Sequence, residues 1–152
     1  MRVILYSQEI TTETSNYIQI CINELLNYNA TLFVLENLYE NSRHKINFPE
    51  KINVLKKFSK VNKIDFLICF GGDGTMLKAA HLIGKLNIPI TGINTGRLGF
   101  LANIPKQNIS DLVNSLYEKK FHVSPRSIIK VSTVPKLKKK LFQFALNEIS
   151  IS

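Results

Sequence analysis

The sequence predicts an α/β fold in which helices cover both faces of a parallel sheet. Two observations favour this class. Short runs rich in β-branched and aromatic residues alternate with stretches whose apolar residues recur at helical spacing. One run, residues 66–70, leads through three glycines and one aspartate into such a helical stretch, as in a βα unit. The length of 152 residues suits one domain, or one domain and a piece of another.

The predicted strands are short and apolar, as expected for strands that are buried on both faces of a sheet. They are residues 3–6, 31–35, 66–70 and 88–93. The segment between the second and third of these strands, residues 37–62, is polar and lysine-rich. It shows no clear period, so we assign it no element.

Helices are predicted where apolar residues form one stripe. Residues 11–28 form the first, and a second begins near Met76 and is ended by Gly84. A third begins at Asn108, with Asp111 three residues later in a capping-box arrangement.

The alternation of strands and helices stops after Phe121. Residues 128–134 and 141–151 predict two strands joined by a loop with no helix between them, which is the pattern of an antiparallel hairpin. We therefore expect an α/β domain at residues 1–122. Residues 123–152 are expected to be the truncated start of a β-rich, sandwich-like domain.

The formal net charge of +9 comes from sixteen lysines and four arginines against eleven acidic residues. These charges form no single stripe with interleaved aromatic residues, so we expect no nucleic-acid partner. No apolar run approaches the roughly 20 residues that span a bilayer, so we expect no membrane partner. Cys21 and Cys69 are expected to be buried free thiols, which suits a reducing cytoplasm.

The glycine-rich stretch after residue 70 has the geometry of an anion site. A strand, a glycine loop and a helix can direct backbone N–H groups at one ligand, and glycines permit positive φ and close approach. The loop lacks the spacing of a P-loop or a dinucleotide fingerprint. Its one functional side chain is the carboxylate of Asp73, which would repel a phosphate unless it manages a proton or a metal ion. Asp73 is therefore the residue of this loop that most needs an explanation.

A second glycine-bearing loop follows the next predicted strand. It reads Asn94-Thr95-Gly96-Arg97-Leu98-Gly99-Phe100-Leu101. Ligand sites of open α/β sheets lie at the carboxyl ends of strands, so two such loops after consecutive strands should flank one crevice.

These motifs resemble the NAD kinase family. The resemblance is carried by three stretches: Gly71-Gly72-Asp73-Gly74-Thr75, the second loop, and Asn147-Glu148. It implies that the first domain is a Rossmann-like nucleotide-binding domain and that the chain corresponds to the family's N-terminal half. The family's later pocket-forming region is not among these residues, so the 152 residues alone are expected to be inactive.

The resemblance implies transfer of the ATP γ-phosphoryl group to the 2′-hydroxyl of the NAD adenosine ribose, with Mg²⁺ or another divalent cation. Asp73 would be the base, Asn147 and Glu148 would bind ribose hydroxyls, and Phe100 would pack on the adenine side. The remaining expected nucleotide-binding residues are Gly71, Gly72, Gly74, Thr75, Lys78 and Asn94. No residue is assigned as a metal ligand. The complete protein is expected to form a homodimer or homotetramer.

Two alternatives remain open from the sequence. The first motif also occurs in lipid kinases and sugar-phosphate kinases, so another phosphotransferase is one of them. A nucleotide-binding module without activity is the other. The sequence does not distinguish ATP from polyphosphate as donor, or NAD from NADH as acceptor.

Overall fold

The computed structural model describes residues 1–58, 63–97, 99–130 and 144–146. The chain divides into two compact units, Met1–Phe121 and His122–Ser152. The expected ribose-binding pair, Asn147 and Glu148, lies outside the described residues.

The described part of the first unit contains a six-stranded sheet in which every pair of neighbouring strands is parallel. Its strands are β1 (Arg2–Ser7), β2 (Thr31–Leu35), β3 (Asn53–Leu55), β4 (Phe66–Phe70), β5 (Ile90–Asn94) and β6 (Ile104–Pro105). Their spatial order is β3-β2-β1-β4-β5-β6. The order reverses between β1 and β4, and ligands of open α/β sheets bind at such a switch point. The predicted α/β class with a parallel sheet is confirmed.

The described part of this unit contains four α-helices, of which the first three connect strands of the sheet and the fourth follows β6. They are α1 (Thr12–Asn27), α2 (Glu36–Ser42), α3 (Asp73–Ile83) and α4 (Ile109–Tyr117). The hydroxyl of Thr11 caps α1 by accepting from the Thr14 N–H at 3.0 Å. Gly84 ends α3 with a φ of 55°, as predicted. The predicted capping box of α4 is wrong, because a short 3₁₀ turn precedes this helix and Asn108 makes no side-chain cap bond.

Both faces of the sheet are buried, and β4 shows how alternation divides the core. Ile68 and Phe70 face the layer that includes the apolar stripes of α1 and α4. Leu67 and Cys69 face the opposite layer, which includes α3. All four are at most 1% exposed, so β4 is held rigidly from both sides. The turn that follows β4 therefore starts from a fixed point.

The segment for which the sequence predicted no element contains α2 and β3. Helix α2 has seven residues and no side-chain cap bond, and it buries only Leu38 and Ser42. Strand β3 has three residues and pairs with β2 alone, at the edge of the sheet. Both elements are too short for a periodic pattern to emerge from the sequence.

The second unit contains two described strands, β7 (Ile129–Lys130) and β8 (Phe144–Ala145). They pair antiparallel, with Ile129 opposite Ala145 and Lys130 opposite Phe144. This agrees with the predicted hairpin where residues are described. The extent of a β-rich domain at residues 123–152 stays a prediction.

Candidate active site

The turn from β4 into α3 is shorter than predicted, because the helix begins at Asp73 and not near Met76. Gly71 has a φ of 150°, and its N–H donates to the Ile93 carbonyl of β5 at 3.0 Å. Gly72 is the N-cap of α3 with a φ of −97°, and the helix begins at Asp73. Asp73, Gly74 and Thr75 are thus the first helical turn, where the positive end of the helix dipole lies. The Thr75 N–H is already paired, because it donates to the Gly72 carbonyl at 3.0 Å.

The glycines of this turn serve two different purposes. A β-carbon at Gly71 would overlap the Thr75 hydroxyl, so the absence of a side chain there makes room for Thr75. At Gly72 and Gly74 a β-carbon would meet nothing within 4 Å. The expectation that the loop glycines supply positive φ holds for Gly71 and is wrong for Gly72, which is extended, and for Gly74, which is helical. Gly72 and Gly74 border open space instead.

The second loop is organised by the side chain of Asn94, the last residue of β5, which is only 5% exposed. Its amide nitrogen donates to the carbonyls of Arg97 at 2.7 Å and Ala102 at 3.0 Å. Its amide oxygen accepts from the Gly96 N–H at 2.8 Å. These three bonds tie the start of the loop to its end. In this structure the Asn94 side chain binds the loop itself, and its role as a direct ligand for nucleotide stays a prediction.

The carboxylate of Asp73 joins the two loops. Its Oδ1 accepts from the N–H groups of Leu101 at 2.9 Å and Ala102 at 3.0 Å, and its Oδ2 accepts from that of Phe100 at 2.9 Å. We call this set of three bonds the Asp73 clamp. The backbone of Ala102 is thereby held at both ends, because its N–H donates to Asp73 and its carbonyl accepts from Asn94.

The clamp changes the acidity of the carboxyl group. Hydrogen bonds from the N–H groups of Ala102, Leu101 and Phe100, in that order of size, lower the pKa of Asp73, and a small desolvation effect opposes them. Donors to a carboxylate stabilise its charged form. The premise that this carboxylate must manage a proton or a metal ion is therefore incomplete, since it also binds peptide N–H groups across the crevice.

The other expected site residues occupy two kinds of position. Phe100 is 95% exposed although its backbone N–H is held by Asp73, so its ring is presented to solvent rather than packed in a core. Lys78 is exposed on α3, one turn beyond the glycines. Thr75 is half-buried against Gly71.

Two residues that matter for this geometry were not predicted as site residues. The Ser7 hydroxyl, at the end of β1, donates to the Phe70 carbonyl at 2.9 Å and so braces the residue before the first loop. Gly99 lies against the Asp73 carboxylate. Gly99 stood in the quoted second motif, but no local pattern indicates that its backbone lies against the side chain of a residue so distant in the sequence.

Two features are absent from the part of the chain that the structure describes. It contains no group of three or more His, Cys, Asp or Glu side chains placed to hold a metal ion. No helix within it has the length and apolar character needed to cross a membrane. Cys21 and Cys69 are buried free thiols, and burial raises the pKa of Cys69 to about 12.

The fold and the two joined loops define a parallel α/β protein with a candidate ligand site at the carboxyl ends of β4 and β5. Residues 3–121 match the family described as ATP-NAD kinase N-terminal domain. The chain therefore belongs to the NAD kinase family.

Curated relatives agree with this assignment, and a solved structure shares the fold. The whole chain aligns at 40% identity with 52% of an NAD kinase from Christiangramia forsetii, and at 34% identity with 52% of one from Flavobacterium psychrophilum. It spans about half the length of these curated relatives. A yeast NADH kinase solved with NADH shares the fold, with a TM-score of 0.69 over 84% of this chain and 41% of that chain, at 18% identity.

Gly71→Ala should destabilise the protein more than the neighbouring change Gly72→Ala, because only the first places a β-carbon against Thr75. Overpacking of this kind costs about 1–3 kcal/mol. Urea unfolding of both variants and the parent measures the difference. Equal stability of the two variants would show that the missing side chain of Gly71 is not needed to make room for Thr75.

The Asp73 clamp should make stability depend on pH in one direction. The pKa of Asp73 is lower in the folded protein than in the unfolded chain. The contribution of the carboxylate to the free energy of unfolding is therefore complete above the unfolded pKa and is lost as the pH falls through the folded pKa. The free energy of unfolding of the protein minus that of Asp73→Asn should be constant near neutrality and shrink as the pH falls below about 4. A difference that stays constant down to pH ~2 would show that the carboxylate charge is not stabilised by the fold.

Proposed function

We propose that this chain forms the N-terminal half of an NAD kinase, which transfers the γ-phosphoryl group of ATP to the 2′-hydroxyl of the NAD adenosine ribose to give NADP. The observation that carries the proposal is the position of Asp73. Its carboxylate lies at the N-terminus of α3 and between the two glycine loops, and the chain belongs to the NAD kinase family.

The proposed reaction exchanges one phosphorus–oxygen bond for another. The ribose 2′-oxygen forms a bond to the γ-phosphorus, and the bond from that phosphorus to the oxygen bridging to the β-phosphate breaks, so that ADP leaves. The hydroxyl proton passes to the Asp73 carboxylate and from there to solvent. Phosphoryl transfer depends mainly on positioning and on stabilisation of charge, so a base is needed only as the new bond forms.

The lowered pKa of Asp73 refines the role of this base. A weaker base removes the proton later, so Asp73 is proposed chiefly to hold the hydroxyl in line with the phosphorus. A clamped carboxylate suits this task because its position is fixed from the second loop as well as from α3.

The first turn of α3 is proposed to bind phosphate. Open space at Gly72 and Gly74 lets an anion approach the backbone, and the helix dipole favours negative charge there. Thr75 and the exposed Lys78 are proposed to contribute a hydroxyl and an ammonium group. A lysine outside a bidentate site acts as a point charge, which tolerates more than one phosphate position.

The nucleoside end of the substrate is proposed to contact the second loop. The exposed ring of Phe100 would gain hydrophobic stabilisation by covering the adenine. Asn94 is proposed to contribute by shaping the loop that carries Phe100. Asn147 and Glu148 are proposed to bind ribose hydroxyls, on the strength of the family resemblance alone.

The described residues do not supply a set of metal ligands, and Asp73 already accepts three N–H bonds. Mg²⁺ or another divalent ion is therefore proposed only as a part of the nucleotide substrate, and no step is assigned to it. Buried free thiols support a reducing, cytoplasmic location. A homodimer or homotetramer is proposed for the whole protein by analogy with the family.

The most direct test of this function uses a chimera. Because the chain aligns in full with about half of the Christiangramia forsetii NAD kinase, the unmatched C-terminal part of that relative can be fused after residue 152. We expect the chimera to form NADP in a coupled assay and the 152 residues alone to form none. Parallel assays with polyphosphate and with NADH identify the donor and the acceptor.

In the chimera, Asp73→Asn should lower kcat by about 10²–10⁴-fold, the usual contribution of a general base. An amide nitrogen cannot accept a hydrogen bond, so this change also weakens the clamp, and we expect NAD affinity to fall as well. A variant that kept near-parental turnover would exclude Asp73 from the reaction. A chimera that folds and binds NAD but forms no NADP would favour a binding module.

Gly72→Val should lower nucleotide affinity without unfolding the protein. The residue is extended and its β-carbon would enter the open space proposed for phosphate, so bulk there competes with the ligand rather than with the fold. We expect affinity for NAD or ATP, measured by isothermal titration, to fall at least tenfold for Val and less for Ala. The free energy of unfolding should change by less than about 1 kcal/mol. Unchanged affinity in both variants would mean that this glycine lies outside the phosphate site.

A further inference from the structure

Gly99 is the residue of the second loop whose missing side chain matters most. A β-carbon built there would overlap Oδ1 of Asp73 and lie 2.6 Å from its Cγ and 2.9 Å from its Oδ2. Every heavy atom of the carboxyl group is thus closer than any real β-carbon tolerates. At Gly96, in the same loop, a β-carbon would meet nothing within 4 Å.

The carboxylate has no easy way to move aside. It is the end of a short side chain on the first residue of α3, and three N–H bonds of 2.9–3.0 Å hold it. A side chain at position 99 must therefore displace either the carboxylate or the loop. Both movements lengthen bonds of the Asp73 clamp, and hydrogen bonds to charged groups are among the stronger ones in proteins.

The clamp also distinguishes the two carboxylate oxygens. A carboxylate has about four lone-pair positions, two on each oxygen. Leu101 and Ala102 occupy both positions on Oδ1, whereas Phe100 occupies one on Oδ2. Among the bonds of the described residues, Oδ2 is the oxygen with an acceptor position left over.

From these contacts we infer that Gly99 is a positioning residue that acts through Asp73, and that the clamp leaves Oδ2 as the oxygen that receives the acceptor hydroxyl. The first part concerns the protein without ligand. The second part rests on the proposed function. The inference assigns Gly99 no contact with substrate; its role is to let Asp73 bind the second loop.

The clamp can be tested on the unaltered chain by NMR, without any ligand. The amide protons of Phe100, Leu101 and Ala102 should shift together on acidification, with one shared midpoint below the ordinary aspartate pKa of about 3.9, and the Asp73 carboxyl carbon should share that midpoint. Amides that do not follow the carboxyl carbon would overturn the clamp.

Gly99→Ala and Gly96→Ala form a matched pair, because both place one methyl group on the same loop. We expect Gly99→Ala to remove the shared titration and to raise the midpoint of the Asp73 carboxyl carbon, and Gly96→Ala to leave both as in the parent. If Gly99→Ala fails to fold while Gly96→Ala folds, Asp73→Asn replaces it, and the three amide protons should then lose their pH dependence. Equal titration behaviour of the two alanine variants would overturn the role of Gly99. Amide protons that still shift with pH in Asp73→Asn would overturn the clamp.

The hydroxyl assignment is tested in the chimera with Gly99→Ala. A displacement of about 1 Å in a positioned group can cost about 10²-fold in rate, so kcat should fall by roughly 10-fold to 100-fold. The pH profile of kcat/KM should move to higher pH along with the carboxyl midpoint. The NMR titration shows whether Gly99→Ala has lost the Asp73 clamp. If the clamp is lost but the pH profile of kcat/KM equals that of the parent, Gly99 does not act on the acceptor hydroxyl through Asp73. A chimera that folds and binds NAD but forms no NADP would refute the proposed function and leave the ligand-free clamp result standing.

Discussion

The geometry of the site depends on one interaction, the binding of three backbone N–H groups by the Asp73 carboxylate. It connects the turn after β4 with the loop after β5. The carboxylate is fixed in turn by the N-terminus of α3, which starts from a strand buried on both faces. The buried strand β4 therefore fixes the start of α3, and the Asp73 carboxylate at that start fixes the second loop.

The glycines of the two loops have different roles, and one of them serves this interaction directly. Gly71 makes room for Thr75 and Gly99 makes room for Asp73, whereas Gly72 and Gly74 border open space. One pair of glycines thus lets side chains pack within the site, and the other leaves space in front of a helix N-terminus. A phosphate-binding loop needs both features, because an anion must approach the backbone and the backbone must not move when it does.

Much of this fold could be predicted from the sequence, because strong local patterns produced it. The apolar run at residues 66–70, the stop at Gly84 and the stripe of α1 all correspond to elements of the structure. The missed elements include α2, β3 and β6. Helix α2 and strand β3 are short and lie at one side of the sheet, where contacts with β2 rather than periodicity define them. Strand β6 has two residues and pairs with β5 at the other edge of the sheet. The capping box at Asn108 failed because the preceding 3₁₀ turn changes the backbone at that residue.

The connections within the candidate site could not be predicted from the sequence. The sequence indicated that Asp73 is unusual, and that two glycine loops flank one crevice. It could not show that the partners of Asp73 are peptide N–H groups, since every residue except proline carries that group and no residue type marks it. Nor could it separate Gly99 from Gly96, because the difference is a contact made across the crevice.

The Asp73 carboxylate joins the two loops, and we propose that it also receives the acceptor hydroxyl. A crystal structure of the chimera with NAD bound would show both contacts. The 2′-oxygen should lie within about 2.6–3.2 Å of Asp73 Oδ2, while Leu101 and Ala102 still donate to Oδ1. An Asp73 carboxylate turned away from the loop, or a ribose bound outside hydrogen-bond reach of Asp73, would refute this double role.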